Sequence, residues 1–270
     1  MIKKAVIPAA GLGSRFYPLT RSQPKEMLPI VDRPVIHYVV EEALKSGLDQ
    51  ILIIIGAGKD AIINYFDKHT LDDKYADDSI NTLPDVYFIR QKEQKGLADS
   101  LRYAKNFTGD DDFVVLLGDT IYQSYSNDTI TSELIKNYNR NKKTLIGLEK
   151  VDKDVVSHYG IVSMDANTMK IDMAIEKPEV ESAPSNLAIT GTYIFNSNIY
   201  EYISQLKPGK NNEMQLTDAI NMLCKDDDVY GSIINGKRYD IGTMELWLDS
   251  FLTFLGKSDK YSYILNKHSK

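Results

Sequence analysis

The chain has 270 residues, a formal net charge of −6 at neutral pH, and 43% hydrophobic and 26% charged residues. These fractions exclude a disordered, collagen-like or coiled-coil chain, and no apolar stretch approaches the ~20 residues of a membrane span. The acidic balance argues against nucleic-acid binding, and Cys224, the single cysteine, excludes a disulfide framework. With no signal peptide visible, we expect a cytoplasmic protein. Such a chain can still bind a small polyphosphate if it concentrates a few cations and backbone N–H groups locally.

Strands and helices alternate along the first half of the chain. In chain order, the patterns predict a strand over 5–7, a loop over 8–13, a helix from Val35 that ends at Gly47, a strand over 50–55, a helix over 60–66, a strand over 86–90, a helical face at 97–104 and a strand over 113–117. After about residue 142 short strands follow closely, over 144–148, 160–164, 170–176, 187–195 and 229–234. Helices are predicted over 197–206, 213–225 and 243–255.

This alternation predicts an α/β fold with a Rossmann-like mixed, mostly parallel sheet flanked by helices. Residues 1–256 are expected to form a single domain whose second half is rich in β-strands, and 257–270 a C-terminal tail. Ligands of such sheets bind outside the carboxyl ends of the strands. The loop at Gly11, Gln91 and Asp119 each follow a predicted strand, so we expect them to converge.

A glycine-containing loop, Gly11-Leu-Gly-Ser-Arg15, follows the first strand. It is not a dinucleotide-binding fingerprint, because Phe16 stands where the third glycine would fall, and it lacks the lysine of a P-loop. Glycine turns after a first strand are common in α/β folds, so this loop alone is weak evidence. It is consistent with a backbone that approaches a phosphate chain beside a fixed cation, Arg15.

The longer run is far more specific. The loop is followed by Pro18-Leu-Thr20 and by Pro24-Lys-Glu-Met-Leu-Pro-Ile-Val-Asp-Arg-Pro34, and the whole resembles the signature of the sugar-phosphate nucleotidyltransferases. Segments 38–43, 183–189 and 213–220 favour the branch that uses UTP and glucose 1-phosphate. The resemblance extends to about Asp249. It implies a nucleotide-diphospho-sugar transferase fold, with a nucleotide-binding half at about 1–142 and a sugar-binding half at 143–256.

The resemblance also implies a reaction and an assembly. The reaction is the transfer of a uridylyl group from UTP to glucose 1-phosphate with release of pyrophosphate, assisted by Mg²⁺, and the assembly is a homodimer or homotetramer. The residues it implies are Arg15, Lys25 and Asp119 for catalysis, Asp119 and Asp240 for the metal, Ala10, Gly11, Gly13, Glu26, Gln91 and Gly96 for the nucleotide, and Gly160, Glu176, Lys177 and Gly191 for the sugar phosphate.

Physical arguments support several of these roles. A carboxylate such as Asp119, directly after an apolar strand, is costly unless it meets water, a metal or a cation. Asp240 could instead cap the last helix, but Thr243 is better placed to do so. Mg²⁺ typically takes one or two carboxylates together with substrate phosphates, which fits so sparse a set. The amide of Gln91 can pair with the edge of uracil or thymine, or flip to pair with cytosine. It therefore narrows the choice of base but does not determine it.

Some residues depart from the uridylyltransferase pattern. Gly118-Asp-Thr120 stands where that branch usually carries Pro-Asp-Asp, and it is closer to the glucose-1-phosphate thymidylyltransferases, as is Asp240-Ile-Gly-Thr243. Ser14 replaces the usual threonine. The alternatives are therefore a thymidylyltransferase that uses dTTP, or an enzyme that accepts both nucleotides. A non-catalytic homologue that binds nucleotide sugars has no physical need for the metal pair.

Overall fold

The computed structural model describes residues 2–68, 84–209 and 212–268. Its strands are β1 (Lys4–Ala9), β2 (Pro29–Ile30), β3 (Arg33–Pro34), β4 (Gln50–Ile55), β5 (Val86–Arg90), β6 (Phe113–Leu116), β7 (Thr120–Ser124), β8 (Leu145–Lys150), β9 (Gly160–Met164), β10 (Ile171–Glu176), β11 (Leu187–Phe195), β12 (Tyr230–Ile233) and β13 (Gly236–Asp240). Its α-helices are α1 (Val35–Lys45), α2 (Asp60–Phe66), α3 (Leu97–Arg102), α4 (Lys105–Thr108), α5 (Ile130–Tyr138), α6 (Ile199–Gln205), α7 (Leu216–Asp226), α8 (Met244–Lys257) and α9 (Tyr263–His268). Short 3₁₀ helices lie at Ser14–Phe16, Leu19–Arg21, Lys25–Met27, Lys153–His158 and Val180–Ser182.

Within these residues, nine strands form one sheet in the order β10-β9-β11-β6-β1-β4-β5, with β8 paired to β11 and β12. The strands β6, β1, β4 and β5 run parallel, and β12 runs parallel to β8. Strand β11 is antiparallel to β6, β8 and β9, and β9 is antiparallel to β10. The predicted mixed, mostly parallel sheet flanked by helices is confirmed.

The central strands are apolar along their whole length because both faces of the sheet are covered. Side chains alternate between the two faces, so Val6 and Leu52 pack into one core with helix α7. Ile7 and Ile53 pack into the other core with helix α1. No helix in the described residues combines the length and apolarity needed to span a membrane.

Most predicted elements lie where the sequence placed them, and several others differ in their ends or were not predicted. The predicted loop over 8–13 starts only after Ala9, because Pro8 and Ala9 continue β1 beside Ile54 and Ile55. Helix α7 begins at Leu216, three residues after the predicted start. The strands β2 and β3 and the helices α4, α5 and α9 were not predicted. The small antiparallel sheet of β7 and β13 was not predicted either, and residues 239–240 lie within its strand β13. The segment at 72–85 is rich in acidic residues, which predicts a solvated loop, and it lies almost entirely outside the described residues.

Candidate active site

Two adjoining cavities lie at the carboxyl ends of the parallel strands. The glycine-loop cavity has a volume of about 410 Å³ and is lined by residues of the loop after β1, the 3₁₀ helix Lys25–Met27 and the start of α3. The Glu176 cavity has a volume of about 280 Å³ and is lined by residues of β9 to β11, α7 and β13. Leu97, Leu117, Asp119 and Glu213 line both cavities, so the two are continuous at Asp119.

The loop after β1 owes its shape to Gly13. This residue has φ +65°, and a Cβ there would lie 2.9 Å from Cγ2 of Thr20. The hydroxyl of Thr20 donates to the Gly13 carbonyl at 2.8 Å, which fastens the loop to the following turn. At Gly11 an added Cβ would meet no atom within 4 Å, so its small size matters only to what enters the cavity. The exposed backbone at Gly11 can therefore approach a phosphate group.

Lys25 and Asp119 form an ion pair at the point where the cavities meet. Burial lowers the pKa of the Lys25 ammonium, but the carboxylates of Asp119, Glu26 and Asp240 outweigh it and raise the pKa above its ordinary value. Lys25 is therefore a permanent cation at neutral pH. It is held between Pro24 and Pro29 in the 3₁₀ helix, as expected for a lysine that does not move freely.

Asp240 lies beside Asp119 because β13 pairs with β7. Residue Asp240 is the partner of Thr120 in that ladder, and the amide of Ile241 donates to the Asp119 carbonyl oxygen at 2.9 Å. Burial and the neighbouring Asp119 raise the pKa of Asp240, while Arg238 opposes them. Among the described residues, none donates a hydrogen bond to the Asp240 carboxylate. Two close carboxylates, one without a partner, form a donor set suited to a hard cation.

A second, deeper ion pair lies behind Lys25. The ammonium of Lys59 is 2.5 Å from Oε2 of Glu26, and the two side chains are 6% and 2% exposed. Burial raises the pKa of Glu26 and lowers that of Lys59. Glu26 still reaches the lining of the glycine-loop cavity. Its carboxylate is paired with Lys59, a residue that is absent from the predicted site.

Gln91 and Gly96 lie on the far wall of the glycine-loop cavity. The amide nitrogen Nε2 of Gln91 donates to Oδ2 of Asp99 at 2.8 Å. Gly96 has φ +97°, and a Cβ there would lie 2.6 Å from the carbonyl oxygen of Met214. Only glycine fits at this position, where the chain turns into α3.

The Glu176 cavity is built on the antiparallel strands. Gly160 faces Glu176 in the ladder of β9 and β10, and a Cβ on Gly160 would lie 3.3 Å from Oε2 of Glu176. Lys177 adopts φ +46°, a conformation uncommon outside glycine, and its ammonium lies 2.7 Å from Oε1 of Glu176. Gly191, with φ +93°, lets Leu117 pack against its backbone. The cavity thus offers a carboxylate and an ammonium side by side.

Every residue that the sequence predicted for the site lines one of the two cavities, except Arg15. Arg15 is exposed on the 3₁₀ helix Ser14–Phe16, and its charge opposes the rise in the pKa of Asp240. The sequence reasoning did not find Lys59, Asp99 or Arg238. Lys59 could have been found, because it follows β4 at the same edge of the sheet as the glycine loop.

Arg238 is the buried cation of the Glu176 cavity. Its guanidinium lies 2.5 Å from Oε1 of Glu149 and stacks over the ring of Tyr159 at 4.3 Å. Burial acts to lower the pKa of Arg238, and Glu149 and Asp240 more than offset it. Arg238 therefore supplies fixed positive charge two residues before Asp240.

A larger depression of about 620 Å³ lies behind the glycine-loop cavity, lined mostly by exposed charged side chains such as Lys92 and Lys105. Of its lining residues only Asp99 and Tyr200 are buried, so fewer buried polar groups converge there than in the two smaller cavities. These two are therefore the candidate site.

A glycine loop, buried cations and paired carboxylates at the carboxyl edge of a mixed α/β sheet define a site for phosphorylated ligands. Comparison with known proteins identifies the class. The model of the nucleotidyl transferase family matches residues 4–255, so the chain belongs to that family and is a nucleotidyltransferase.

Individual relatives match the chain over nearly its whole length. UTP–glucose-1-phosphate uridylyltransferase 1 of Staphylococcus saprophyticus is 40% identical over 273 residues, which are 96% of this chain and 94% of the relative. The crystal structure of a UDP-glucose pyrophosphorylase complexed with UDP-glucose is 36% identical, with a TM-score of 0.91 over 96% of this chain and 100% of that one. A UTP-bound UGPase from Acinetobacter baumannii is 34% identical, with a TM-score of 0.90 and 100% of both chains covered.

Proposed function

We propose that this chain transfers a uridylyl group from UTP to glucose 1-phosphate and releases pyrophosphate. The observation that carries the proposal is the junction of two cavities at Asp119 and Lys25, one with the glycine loop and one with Glu176 and Lys177. A reaction between two phosphorylated substrates needs such a junction. The uridylyltransferase of S. saprophyticus and the structures with UDP-glucose and UTP support the choice of substrates.

The chemistry needs alignment and charge neutralisation rather than a general base. A phosphate oxygen of glucose 1-phosphate is already an anion, and it attacks the α-phosphorus of UTP in line. The new oxygen–phosphorus bond forms as the bond between the α-phosphorus and its bridging oxygen to the β-phosphorus breaks, and pyrophosphate leaves with the electron pair. Lys25 and Arg15 are proposed to neutralise the triphosphate and the leaving group. Glu176 accepts hydrogen bonds from sugar hydroxyls, and Lys177 meets the sugar phosphate.

The nucleotide occupies the glycine-loop cavity in this proposal. Backbone at Ala10, Gly11 and Gly13 faces the phosphates, and Gln91 and Gly96 face the base. Glu26, which is paired with Lys59, is proposed to contact the nucleotide together with Gln91 and Gly96.

Asp119 and Asp240 are proposed to hold Mg²⁺. They fit it because their backbones are adjacent, burial and the neighbouring Asp119 raise the pKa of Asp240, and no described residue donates a hydrogen bond to that carboxylate. Mg²⁺ is commonly held by one or two carboxylates and completed by substrate phosphates, so two carboxylates suffice for such a site. Bound there, Mg²⁺ supplies positive charge against the negative charge of the reacting phosphates.

A thymidylyltransferase that uses dTTP, or an enzyme that accepts both nucleotides, is the second candidate. It is favoured by Gly118-Asp-Thr120 and Asp240-Ile-Gly-Thr243, which resemble the glucose-1-phosphate thymidylyltransferases, and thymine presents the same pairing edge as uracil. Thr120 is buried and lines the Glu176 cavity, away from the base. The uridylyltransferase of S. saprophyticus and the UTP-bound relative lead us to favour UTP. A non-catalytic homologue would not need Arg15, Lys25, Asp119 and Asp240 together.

Three further features are proposed on the basis of the resemblance to sugar-phosphate nucleotidyltransferases. They are a single domain over 1–256 with the halves given above and a tail at 257–270, a homodimer or homotetramer, and a cytoplasmic location where nucleoside triphosphates are available.

Product analysis tests the proposed function. The purified chain is incubated with UTP, glucose 1-phosphate and Mg²⁺, and nucleotides are separated by anion-exchange chromatography. UDP-glucose should accumulate in step with pyrophosphate, and it should be absent with Asp119→Asn under the same conditions. Pyrophosphate without a nucleotide sugar, or no turnover by a folded wild-type chain, would reject the proposal.

A further inference from the structure

A short chain of hydrogen bonds runs from the surface to the wall of the glycine-loop cavity. Nη1 of Arg102 donates to Oδ1 of Asp99 at 3.2 Å, and Nε2 of Gln91 donates to Oδ2 of the same carboxylate at 2.8 Å. Gln91 is 2% exposed and Asp99 is 5% exposed, so the bond between them is buried. Each oxygen of Asp99 thus has its own donor.

This chain fixes the polarity of the Gln91 amide. A primary amide can present either its oxygen or its nitrogen in a given direction, whereas a carboxylate only accepts hydrogen bonds. Asp99 can therefore face only the amide nitrogen of Gln91. The amide oxygen Oε1 accepts no hydrogen bond from a described residue, and Gln91 lines the cavity. An acceptor with an unused lone pair is thus held at the cavity wall.

We propose that Asp99 is a positioning residue that sets base specificity by locking the Gln91 amide with its oxygen toward the base. The inference rests on the proposed function, since it assumes that a pyrimidine occupies this cavity. An acceptor at this wall matches the ring N3–H of uracil or thymine. Cytosine has an acceptor at N3, so two acceptors would face each other and the base is rejected.

The backbone of Gly96 supplies the complementary donor. Its N–H has no acceptor among the described residues, and the contact with Met214 fixes the turn that carries it. A carbonyl oxygen of uracil, next to N3–H, can accept from this N–H. The cavity wall then presents a hydrogen-bond acceptor, Oε1 of Gln91, beside a donor, the N–H of Gly96. Uracil and thymine can pair with both groups, whereas N3 of cytosine is itself an acceptor and cannot pair with Oε1.

The test compares CTP with UTP in variants of the pair. Asp99→Asn is nearly isosteric, but its amide can donate to Oε1 of Gln91, so the Gln91 nitrogen can turn toward the base. We expect the ratio of kcat/KM for CTP to that for UTP, measured by pyrophosphate release with glucose 1-phosphate, to rise about tenfold. In Arg102→Ala the bond between Asp99 and Gln91 remains, so the ratio should stay within about twofold of wild type.

A double variant should restore the fixed orientation with the hydrogen-bond donor and acceptor exchanged between positions 91 and 99. In Asp99→Asn with Gln91→Glu, the asparagine donates to one oxygen of the glutamate, and the other oxygen can only accept from the base. The preference for UTP over CTP should return toward that of wild type. A purely structural Asp99 would lower activity with both nucleotides in proportion, and the double variant would not recover the ratio.

Specific outcomes overturn the inference. If folded Asp99→Asn shows the wild-type ratio of kcat/KM for CTP to that for UTP, Asp99 does not fix the Gln91 amide. The inference is also wrong if the wild-type chain uses CTP and UTP equally well. If dTTP replaces UTP as the preferred nucleotide, the proposed function is wrong, yet the ratio of CTP to dTTP tests the lock in the same way. If no nucleotide is turned over, calorimetry measures the dissociation constants of UTP and CTP for wild type and Asp99→Asn. The ratio of these two constants then tests the same preference without catalysis.

Discussion

Lys25 and Asp119, 94 residues apart in the chain, form an ion pair at the boundary between the two cavities of the site. The glycine-loop side contributes the cation, and the loop between β6 and β7 contributes the carboxylate. Asp240 joins them through the ladder of β7 and β13. The centre of the site is therefore assembled from three distant segments whose charges depend on one another.

Removal of the cation should stop the reaction without unfolding the chain. Lys25→Ala should lower kcat/KM by about 10²–10³-fold, because the charge that develops on the phosphates loses a fixed partner. Lys25→Arg keeps the charge and should retain more activity than the alanine variant. Steady-state kinetics measure the effect, and thermal unfolding checks the fold. Activity like that of wild type in Lys25→Ala would remove Lys25 from the mechanism.

The sugar side should be separable from the nucleotide side by kinetics. Glu176 lines only the cavity that holds Lys177, not the one with the glycine loop. Glu176→Gln loses the charge that strengthens hydrogen bonds from sugar hydroxyls, so KM for glucose 1-phosphate should rise about tenfold. The KM for UTP should stay within about twofold. Equal increases in both would place Glu176 outside the sugar site.

Replacing only one member of the buried ion pair of Glu26 and Lys59 should lower the free energy of unfolding. Lys59→Met leaves the Glu26 carboxylate buried without its cation, and the free energy of unfolding should fall by about 3–5 kcal/mol. Lys59→Met with Glu26→Leu removes both charges and should recover much of that loss. Urea denaturation measures all three chains. A double variant that loses as much stability as Lys59→Met alone, or more, would contradict the pairing.

The same pair has a pH dependence with a defined sign. Burial raises the pKa of Glu26, so its protonated form is favoured in the folded state. Stability from this group is present below its ordinary pKa of about 4.5 and is lost as the pH rises through the folded value. The loss in Lys59→Met should therefore be larger at pH 8 than at pH 5. A loss independent of pH would mean that Glu26 is not the stranded charge.

Cys224 should be an unreactive thiol. Burial raises its pKa from 9.0 to about 11, and it packs partly buried against the core around α7. At pH 8 the folded chain should react with iodoacetamide about a hundredfold more slowly than the chain in urea, because the thiolate is the nucleophile. The rate should climb with pH toward 11. Equal rates in folded and unfolded chains would show that the thiol is neither buried nor shifted.

Local patterns were sufficient for the elements of the main sheet. Strand β4 is a continuous apolar run, and its bounds follow from composition alone, as do those of β5, β9 and β11. The sheet of β7 and β13 was not predictable in this way. Its strands are short and partly polar, and they pair across more than a hundred residues, as the bond from Tyr239 to Gln123 illustrates. Such pairing depends on tertiary structure rather than on local preference.

The site was predictable as a set of residues but not as a set of partners. Gly11, Gln91 and Asp119 follow strands of one parallel sheet, so their convergence follows from the architecture. The sequence holds no local sign that Lys59 neutralises Glu26, because the two meet only after β4 packs beside β1. The same is true of Asp99, whose effect on Gln91 depends on where α3 begins.

The most direct test of the central claim is pyrophosphate release with glucose 1-phosphate and Mg²⁺, compared across UTP, dTTP, CTP, ATP and GTP. The proposed function predicts a clear preference for UTP and loss of activity when a chelator removes the metal. Equal or better turnover with dTTP would make the chain a thymidylyltransferase or an enzyme of dual specificity. Turnover that survives the chelator, or release from none of the five nucleotides, would contradict the account.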